Sequence, residues 1–382
     1  MQIQGYFDLR FEAVKETFSD LFEQTQQRGA AVCVKVGGET VVDLWAGAAD
    51  NAGEQPWQDD TLVNLFSCTK TFTAVAALQL VAEGKLQLDE PVARVWPEFA
   101  VNGKQAITLR QLLCHRAGLP AIRQPLAPEA LYDWDAMTAA LAAESPWWTP
   151  GDGQGYAAIT YGWLLGELIR RADGREPGEA IMARTAQPLD LDFHIGLADA
   201  EFDRVGYLTR QKNNFGDAAA QRVFKALTSD PQSLTALAFT NPPSIMNSAN
   251  KPEWRRMAQP AANGHGNARA LAGFYEGLLR GKLLEDELLS EMTREHSIGE
   301  DRTLLSRTRF ALGCWLDQPD VENATFSMGP GAFGHPGAGG CIGFADPHYD
   351  VAFGYVTNTL GPYVLMDPRA QALARSVKAC LN

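Results

Sequence analysis

Apolar residues recur along the chain with two different periods, and these periods predict where helices and strands form. Residues 11–27 carry an apolar stripe at helical spacing, which predicts an amphipathic helix. Residues 30–36 and 40–46 are β-rich runs joined by a Gly-Gly-Glu step, which predicts a hairpin. Residues 71–83 are apolar at helical spacing and stop at a glycine, which predicts a long helix.

The middle of the chain is predicted to be mostly helical, and strands return near its end. The later predicted helices occupy residues 108–114, 160–171, 285–296 and 364–381, with a further helix that follows Arg269 and ends near Gly281. The later predicted strands occupy residues 309–316, 341–345 and 351–356. Segments 86–99, 173–200 and 213–263 are predicted to be loops with short or irregular elements.

This order of elements predicts an α/β (α+β) fold, in which an antiparallel sheet is flanked by helices. The length of 382 residues suffices for one large domain or two closely packed ones. We expect residues 1–90 and 260–382 to form the α/β domain. Residues 91–259 are expected to form an inserted, mostly helical domain, with approximate boundaries.

The charge balance makes some kinds of binding partner unfavourable. With 46 acidic and 33 basic residues the net charge is −13, which disfavours nucleic acid and anionic membrane surfaces. No apolar run is long enough to span a bilayer, and the N-terminus lacks a basic segment followed by an apolar core. We therefore expect a cytoplasmic protein, in which the six scattered cysteines remain reduced thiols.

A Ser-x-x-Lys step, Ser67 to Lys70, precedes the predicted helix at 71–83. Side chains three residues apart share one face of a helix, so a helical Ser67 would lie beside an amine. The helix N-terminus adds partial positive charge and free N–H groups, a setting that suits a nucleophilic serine. The pattern is short, and a second copy at residues 248–251 lies in a segment rich in Pro and Asn that predicts an irregular loop. Cys68 is expected to be a small packing residue rather than a catalytic thiol.

Two further residues have both a structural and a catalytic interpretation. His115 has no second histidine at metal-ligand spacing, so we expect it to satisfy turn backbone rather than to act as a ligand or base. Tyr156 follows a glycine-rich stretch that does not fit a nucleotide-binding loop. It is either a packed ring with a bonded hydroxyl or a catalytic phenol.

Trp134, Trp147 and Trp148 fit an aromatic pocket wall and ordinary core equally well.

A second glycine-rich stretch, residues 333–340, precedes the last predicted strands. Such a strand edge allows a ligand to approach, and its N–H groups can stabilise an oxyanion, although a plain turn would look the same. His335 is placed beside this stretch and could contact substrate. The chain has no Gly-x-Ser-x-Gly elbow, which argues against an α/β-hydrolase.

Taken together, these segments resemble the serine β-lactamase / penicillin-binding-protein superfamily, and within it the family VIII carboxylesterases, which are similar to class C β-lactamases. The resemblance covers nearly the whole chain. Several motifs in the right order carry it: Val-Asp-Leu-Trp-Ala-Gly at 42–47, Ser-x-x-Lys at 67–70, Leu-Leu-Cys-His-Arg-Ala-Gly-Leu at 112–119, Tyr-Gly-Trp-Leu-Leu-Gly-Glu at 161–167, and His-Pro-Gly-Ala-Gly-Gly at 335–340.

The resemblance implies a role for each matching position. Ser67 matches the acylated nucleophile and Lys70 its partner lysine. Tyr156 matches the tyrosine of the family's Tyr-x-Asn motif. His335, with Pro336 and Gly337, stands where β-lactamases carry Lys-Thr-Gly, and Ala338 would supply the second oxyanion N–H beside that of Ser67.

The chain also departs from the family pattern. Ala158 replaces the asparagine of Tyr-x-Asn, and His335 and Pro336 replace the lysine and threonine that hold the carboxylate of a β-lactam. Loss of a charged partner typically costs about 2–5 kcal/mol of recognition. Uncharged esters therefore suit the site better than β-lactams or D,D-peptides.

These observations predict a serine carboxylesterase that acts on small or medium apolar esters through an acyl-enzyme on Ser67, without a metal or organic cofactor. We expect desolvation of Lys70 and its charge interaction with Tyr156 to bring both pKa values towards the working pH. An acyltransferase or an amide or β-lactam hydrolase on the same site, and a non-catalytic ligand-binding homologue, remain alternatives. The partner is a small-molecule ester, and no oligomeric state is predicted.

Overall fold

The structure is a computed structural model, and it describes residues 2–212, 214–243 and 248–381. The strands in this part of the chain are β1 (Gln4–Phe7), β2 (Gly29–Val36), β3 (Glu39–Gly47), β4 (Val63–Asn64), β5 (Phe193–His194), β6 (Thr209–Arg210), β7 (His265–Gly266), β8 (Ser297–Asp301), β9 (Ser306–Phe310), β10 (Trp315–Leu316), β11 (Phe333–Pro336), β12 (Ile342–Asp346), β13 (Val351–Thr357) and β14 (Thr359–Leu360). Nine of them form one antiparallel sheet in the order β1-β3-β2-β13-β12-β11-β10-β9-β8. The sheet therefore joins strands from both ends of the chain.

Helices cover this sheet and fill most of the middle of the chain. The helices in the described residues are α1 (Glu12–Gln24), α2 (Thr69–Ala82), α3 (Leu109–Leu113), α4 (Trp134–Ala143), α5 (Thr160–Asp173), α6 (Pro177–Thr185), α7 (Ala218–Ser229), α8 (Leu234–Thr240), α9 (Pro252–Arg256), α10 (Ala268–Leu279), α11 (Asp286–Thr293) and α12 (Pro368–Leu381). Antiparallel strands with packed helices confirm the predicted fold class. The division at residues 90 and 260 remains our proposal.

The predicted hairpin near the N-terminus is confirmed. Strands β2 and β3 pair with Val36 opposite Glu39, which leaves a two-residue turn. Gly37 and Gly38 have φ angles of +59° and +90°, in the left-handed region that glycine adopts without steric cost. Two successive positive φ values are the geometry that a short hairpin requires.

The first ten residues of helix α2 are buried on all sides, which the helical pattern of the sequence does not show. Residues 69–78 are all buried, and the helix packs against α5, α6 and β11. A helix without a solvent face is a core element. It begins at Thr69, two residues before the predicted start, so the Ser-x-x-Lys step forms the turn that leads into it.

Several predicted boundaries need correction. The predicted strand at 309–316 is wrong as a single element, because Gly313 turns the chain with φ +77° between β9 and β10. The predicted helix at 285–296 ends at Thr293, and the His296 amide instead donates to the Phe310 carbonyl beside the sheet. Residues 173–200 contain α6, and residues 213–263 contain α7, α8 and α9. Asn213 and residues 244–247 of that last segment lie outside the described residues.

The helices in the described part of the chain are all too short or too polar to traverse a lipid bilayer. In the same residues, no three or more His, Cys, Asp or Glu side chains are placed to hold a metal ion.

A pair of glycines lets α10 lie directly on the sheet. Gly343 of β12 stands opposite Gly354 of β13, under a helix that also contacts β2. A Cβ atom at Gly354 would lie 2.3 Å from the Ala268 carbonyl oxygen, and one at Gly343 would lie 2.6 Å from the Tyr275 ring. The helix can therefore approach the sheet this closely only where side chains are missing.

Substitution of Gly354 by alanine should lower the free energy of unfolding by about 1–3 kcal/mol, because the added methyl group overpacks a backbone contact. Chemical denaturation of Gly354→Ala measures this loss. Gly331→Ala is the matched control, since a Cβ there meets no atom within 4 Å. Equal stability of the two variants would contradict this account of the helix–sheet packing.

Candidate active site

Ser67 lies in a tight turn that leads into the first residues of α2, which we call the nucleophile turn (residues 66–70). The Lys70 amide donates to the Ser67 carbonyl at 3.0 Å, and the Thr69 amide donates to the Phe66 carbonyl at 3.0 Å. Phe66 has a φ of +48°, an uncommon value for a residue with a side chain. The Thr69 hydroxyl fixes the turn further, because it donates to Phe66 at 2.6 Å and accepts from the Gly264 amide at 2.9 Å.

Lys70 is fully buried and points at Ser67. Its Nζ lies 3.1 Å from Ser67 Oγ, 2.7 Å from the Ala158 carbonyl oxygen and 2.9 Å from the Ala261 carbonyl oxygen. No carboxylate in the described residues forms an ion pair with this amine. Burial holds the pKa of Lys70 well below its ordinary value. Burial thus shifts the protonation equilibrium of this side chain towards the neutral amine.

Tyr156 completes a group of three side chains. Lys70 Nζ lies 4.8 Å from the centre of its ring, and an interaction of its hydroxyl with Ser67 lowers the pKa of Tyr156. Burial raises the pKa of Tyr156 well above its ordinary value, and the interaction with Ser67 only partly offsets this effect. The expectation that both pKa values approach the working pH is thus wrong for Tyr156, because desolvation stabilises its neutral phenol.

Asp301, a residue that sequence reasoning missed, positions the backbone of Tyr156. Both of its carboxylate oxygens lie 3.0 Å from the Tyr156 amide nitrogen, and it also accepts from the Thr303 and Leu304 amides at 2.9 Å. This carboxylate is buried, and Asp301 is the last residue of β8. No motif marks the residue, because the contact joins positions that are 145 apart in sequence.

His115 also supports the segment that contains Tyr156 and precedes α5, which we call the Tyr156 loop (residues 151–159). Its Nδ1 accepts from the Ala157 amide at 3.2 Å, and its carbonyl accepts from the Gly155 amide at 3.1 Å. The ring lies 4.8 Å from that of Tyr156, centre to centre. Burial, with smaller contributions from Lys70 and His335, holds the pKa of His115 well below its ordinary value. The prediction of a structural histidine that satisfies backbone groups is confirmed.

His335 is buried at the end of β11 and uncharged. Its Nδ1 lies 2.8 Å from the Pro336 carbonyl oxygen, which can only accept, so Nδ1 carries the proton. Nε2 is then a lone-pair acceptor, and it has no protein partner in the described residues. Burial, followed by the nearby Lys70, holds the pKa of His335 well below its ordinary value.

The residues that follow, 337–340, form a loop that we call the glycine loop, and it packs against the nucleophile turn. A Cβ at Gly337 would lie 2.3 Å from the Leu65 carbonyl oxygen. The Cys68 thiol donates to the His335 carbonyl at 3.2 Å, so it is a packing residue as predicted. Ala338 is exposed, and in the described residues neither its amide nor that of Ser67 donates to a protein acceptor.

The three tryptophans have different surroundings. Trp148 lies against the Tyr156 loop, because its ring would be 2.6 Å from a Cβ at Gly155. Trp134 donates to Glu167 at 2.9 Å between α4 and α5, and Trp147 donates to the Ala121 carbonyl at 2.9 Å.

The second Ser-x-x-Lys copy has a different geometry. Ser248 to Lys251 is an irregular turn before α9, as predicted, and Lys251 is exposed. Tyr132 donates to the Ser248 hydroxyl at 3.2 Å. The lysine of this copy is thus exposed, whereas Lys70 beside Ser67 is fully buried.

The fold, together with a serine in the turn that leads into a buried helix, points to one class of protein. The model of the Beta-lactamase family matches residues 14–377, and the chain belongs to this family. The Esterase/beta-lactamase LipL of Mycobacterium tuberculosis is 33% identical over 377 residues, which cover 96% of this chain and 85% of that protein. A penicillin-binding protein homolog from Caulobacter crescentus is 38% identical with a TM-score of 0.89, and a family VIII carboxylesterase is 33% identical with a TM-score of 0.88; each aligns over 100% of both chains. These matches confirm the predicted resemblance.

Replacement of Asp301 by asparagine should lower the free energy of unfolding by about 1–3 kcal/mol, since an amide group would face buried N–H donors that now meet a carboxylate. Thermal and chemical denaturation measure this loss. Asp320→Asn is the control, because Asp320 forms an exposed ion pair with Arg307. If Asp301→Asn were as stable as this control, Asp301 would not be an anchor of the Tyr156 loop.

Proposed function

We propose that the protein is a serine carboxylesterase that hydrolyses small or medium apolar esters through an acyl-enzyme on Ser67. One observation carries the proposal: the buried Lys70 amine lies 3.1 Å from Ser67 Oγ. The Ala158 and Ala261 carbonyls can accept two N–H groups of a neutral amine. Its lone pair is then free to accept the proton of Ser67, which is the role of a general base.

The first half of the reaction follows from these contacts. Ser67 Oγ forms a bond to the ester carbonyl carbon while its proton moves to Lys70 Nζ. The carbonyl π electrons move to the oxygen, where the N–H groups of Ser67 and Ala338 stabilise the charge. When the tetrahedral intermediate breaks down, Tyr156 gives its proton to the departing alcohol and regains one from Lys70. The raised pKa of Tyr156 supports this role, because the phenol is protonated at neutral pH.

The second half repeats the sequence with water. Water gives a proton to the basic pair as its oxygen attacks the acyl carbonyl, and Ser67 regains its proton when the acid leaves. All proton transfers use Lys70, Tyr156 and Ser67, so no step requires a metal or an organic cofactor.

The uncharged surroundings of the site support a neutral ester as the substrate. His335 is a neutral acceptor where β-lactamases have a lysine, so a substrate carboxylate would meet a lone pair instead of a cation. The buried rings of Phe310 and Trp315 lie 6.1 Å and 6.0 Å from that of Tyr156, so the surroundings of its phenol are largely apolar. The esterase names of the relatives agree with this substrate class.

Ser67→Ala should lower the rate of p-nitrophenyl ester hydrolysis by about 10⁴-fold or more, because removal of a nucleophile abolishes the covalent route. It should also abolish labelling by a serine-directed phosphonate, which intact-protein mass spectrometry measures as one adduct per chain in the wild type. A series of acyl lengths would define the preferred ester.

Ser248→Ala is the matched control, because it removes the serine of the other Ser-x-x-Lys step and should retain labelling and turnover. Full labelling of Ser67→Ala would refute the assignment of the nucleophile. Nitrocefin turnover that rivals ester turnover would refute the preference for uncharged esters.

A further inference from the structure

Arg369, near the start of α12, has a buried guanidinium whose N–H groups are all used inside the protein. Nε donates to Asp367 Oδ1 at 2.9 Å, and Nη1 donates to Gln27 Oε1 at 3.2 Å and to the Thr359 carbonyl at 2.8 Å. Nη2 donates to Asp367 Oδ2 at 2.7 Å and to the Gly339 carbonyl at 2.8 Å. A guanidinium has five N–H donors, so none remains for a substrate.

The contact with Gly339 joins this ion pair to the glycine loop. The Gly339 carbonyl also accepts from the Gly361 amide at 2.9 Å. A Cβ at Gly340 would lie 2.7 Å from Arg369 Nη2 and 3.0 Å from Asp367 Oδ2, so the ion pair packs directly on the loop backbone. The ion pair thus anchors the buried end of the loop at Gly339 and Gly340, whereas Ala338 is exposed.

The glycine loop needs such an anchor because of its own composition. Three of its four residues are glycines, which have the largest backbone freedom, and Gly339 and Gly340 have φ values of +88° and +126°. Within the loop, the Gly340 amide donates to the Gly337 carbonyl at 3.1 Å. The Ala338 amide, which is the proposed oxyanion donor, belongs to the 337–338 peptide, and a single peptide unit separates it from the one whose carbonyl Arg369 holds.

We infer that Arg369, fixed by Asp367, is a positioning residue that holds the Ala338 amide in place for the oxyanion. This inference rests on the proposed function. Arg369 touches no reacting atom, and it acts through the Gly339 carbonyl. An oxyanion donor stabilises the transition state more than the bound ester, so its misplacement lowers kcat and leaves KM nearly unchanged.

Arg369→Lys tests the inference, because an ammonium keeps the charge but cannot serve five acceptors in a fixed plane. We expect kcat for a p-nitrophenyl ester to fall about 10–100-fold, with KM changed less than about 3-fold. Affinity for a boronic acid, which places a tetrahedral oxygen at the oxyanion position, should fall with kcat. Affinity for the product carboxylic acid should not. A purely structural role would not separate these two ligands.

Arg184→Lys is the matched control, since Arg184 is also a largely buried arginine and binds Asp173 and Glu83 away from the glycine loop. It should retain kcat and boronic acid affinity. Asp367→Asn is the second variant, and it should reproduce the kcat loss of Arg369→Lys because it releases the same guanidinium.

Phosphonate titration counts the chains that have a competent site, and each measured rate is divided by that count. Partial unfolding therefore lowers the count and leaves the rate constant unchanged. If the labelled chains of both variants kept the wild-type kcat and boronic acid affinity, the inference would be overturned. Absence of labelling in the wild type would instead overturn the proposed function. The two failures are therefore distinguishable.

Discussion

Removal of the Lys70 amine from water without a carboxylate partner is the constraint on which the rest of the site depends. A buried, unpaired ammonium is costly, so the environment favours the neutral amine. Two backbone carbonyls, from Ala158 and Ala261, bind the amine in place of water. These carbonyls come from segments that are about a hundred residues apart, and α2 brings the amine to both because its first ten residues are buried on every side. Burial of this helix thus has a chemical consequence as well as a structural one.

Burial also shifts the pKa values of the neighbouring groups, and it does so in directions that suit distinct roles. Burial shifts the pKa of Lys70 downward and that of Tyr156 upward, which separates a base from an acid. His115 and His335 are neutral for the same reason, and they have opposite tautomers because one accepts from an amide and the other donates to a carbonyl. The surroundings are held by backbone hydrogen bonds to Asp301 and Arg369. Asp301 and Arg369 therefore position the site through the backbone, from outside the group formed by Ser67, Lys70 and Tyr156.

The sequence predicts the local features well and the long-range ones poorly. The hairpin at Gly37 and the proximity of Ser67 to Lys70 follow from turn chemistry and from a helical spacing of three residues. Tyr156 becomes a candidate only through the family resemblance, because a tyrosine after a glycine-rich stretch is usually a packed ring. Asp301 and Arg369 have no motif at all. Their partners lie 145 and 30 positions away, and only the folded chain brings them together.

NMR titration of the protein labelled with ¹³C at the lysine ε carbon tests the central claim most directly, with Lys70→Ala used to assign the signal. The account predicts that the Lys70 signal is that of a neutral amine at a pH where exposed lysines are still protonated, and that it titrates clearly below them. A Lys70 signal that titrates together with the exposed lysines, near the ordinary pKa of about 10.4, would contradict the account.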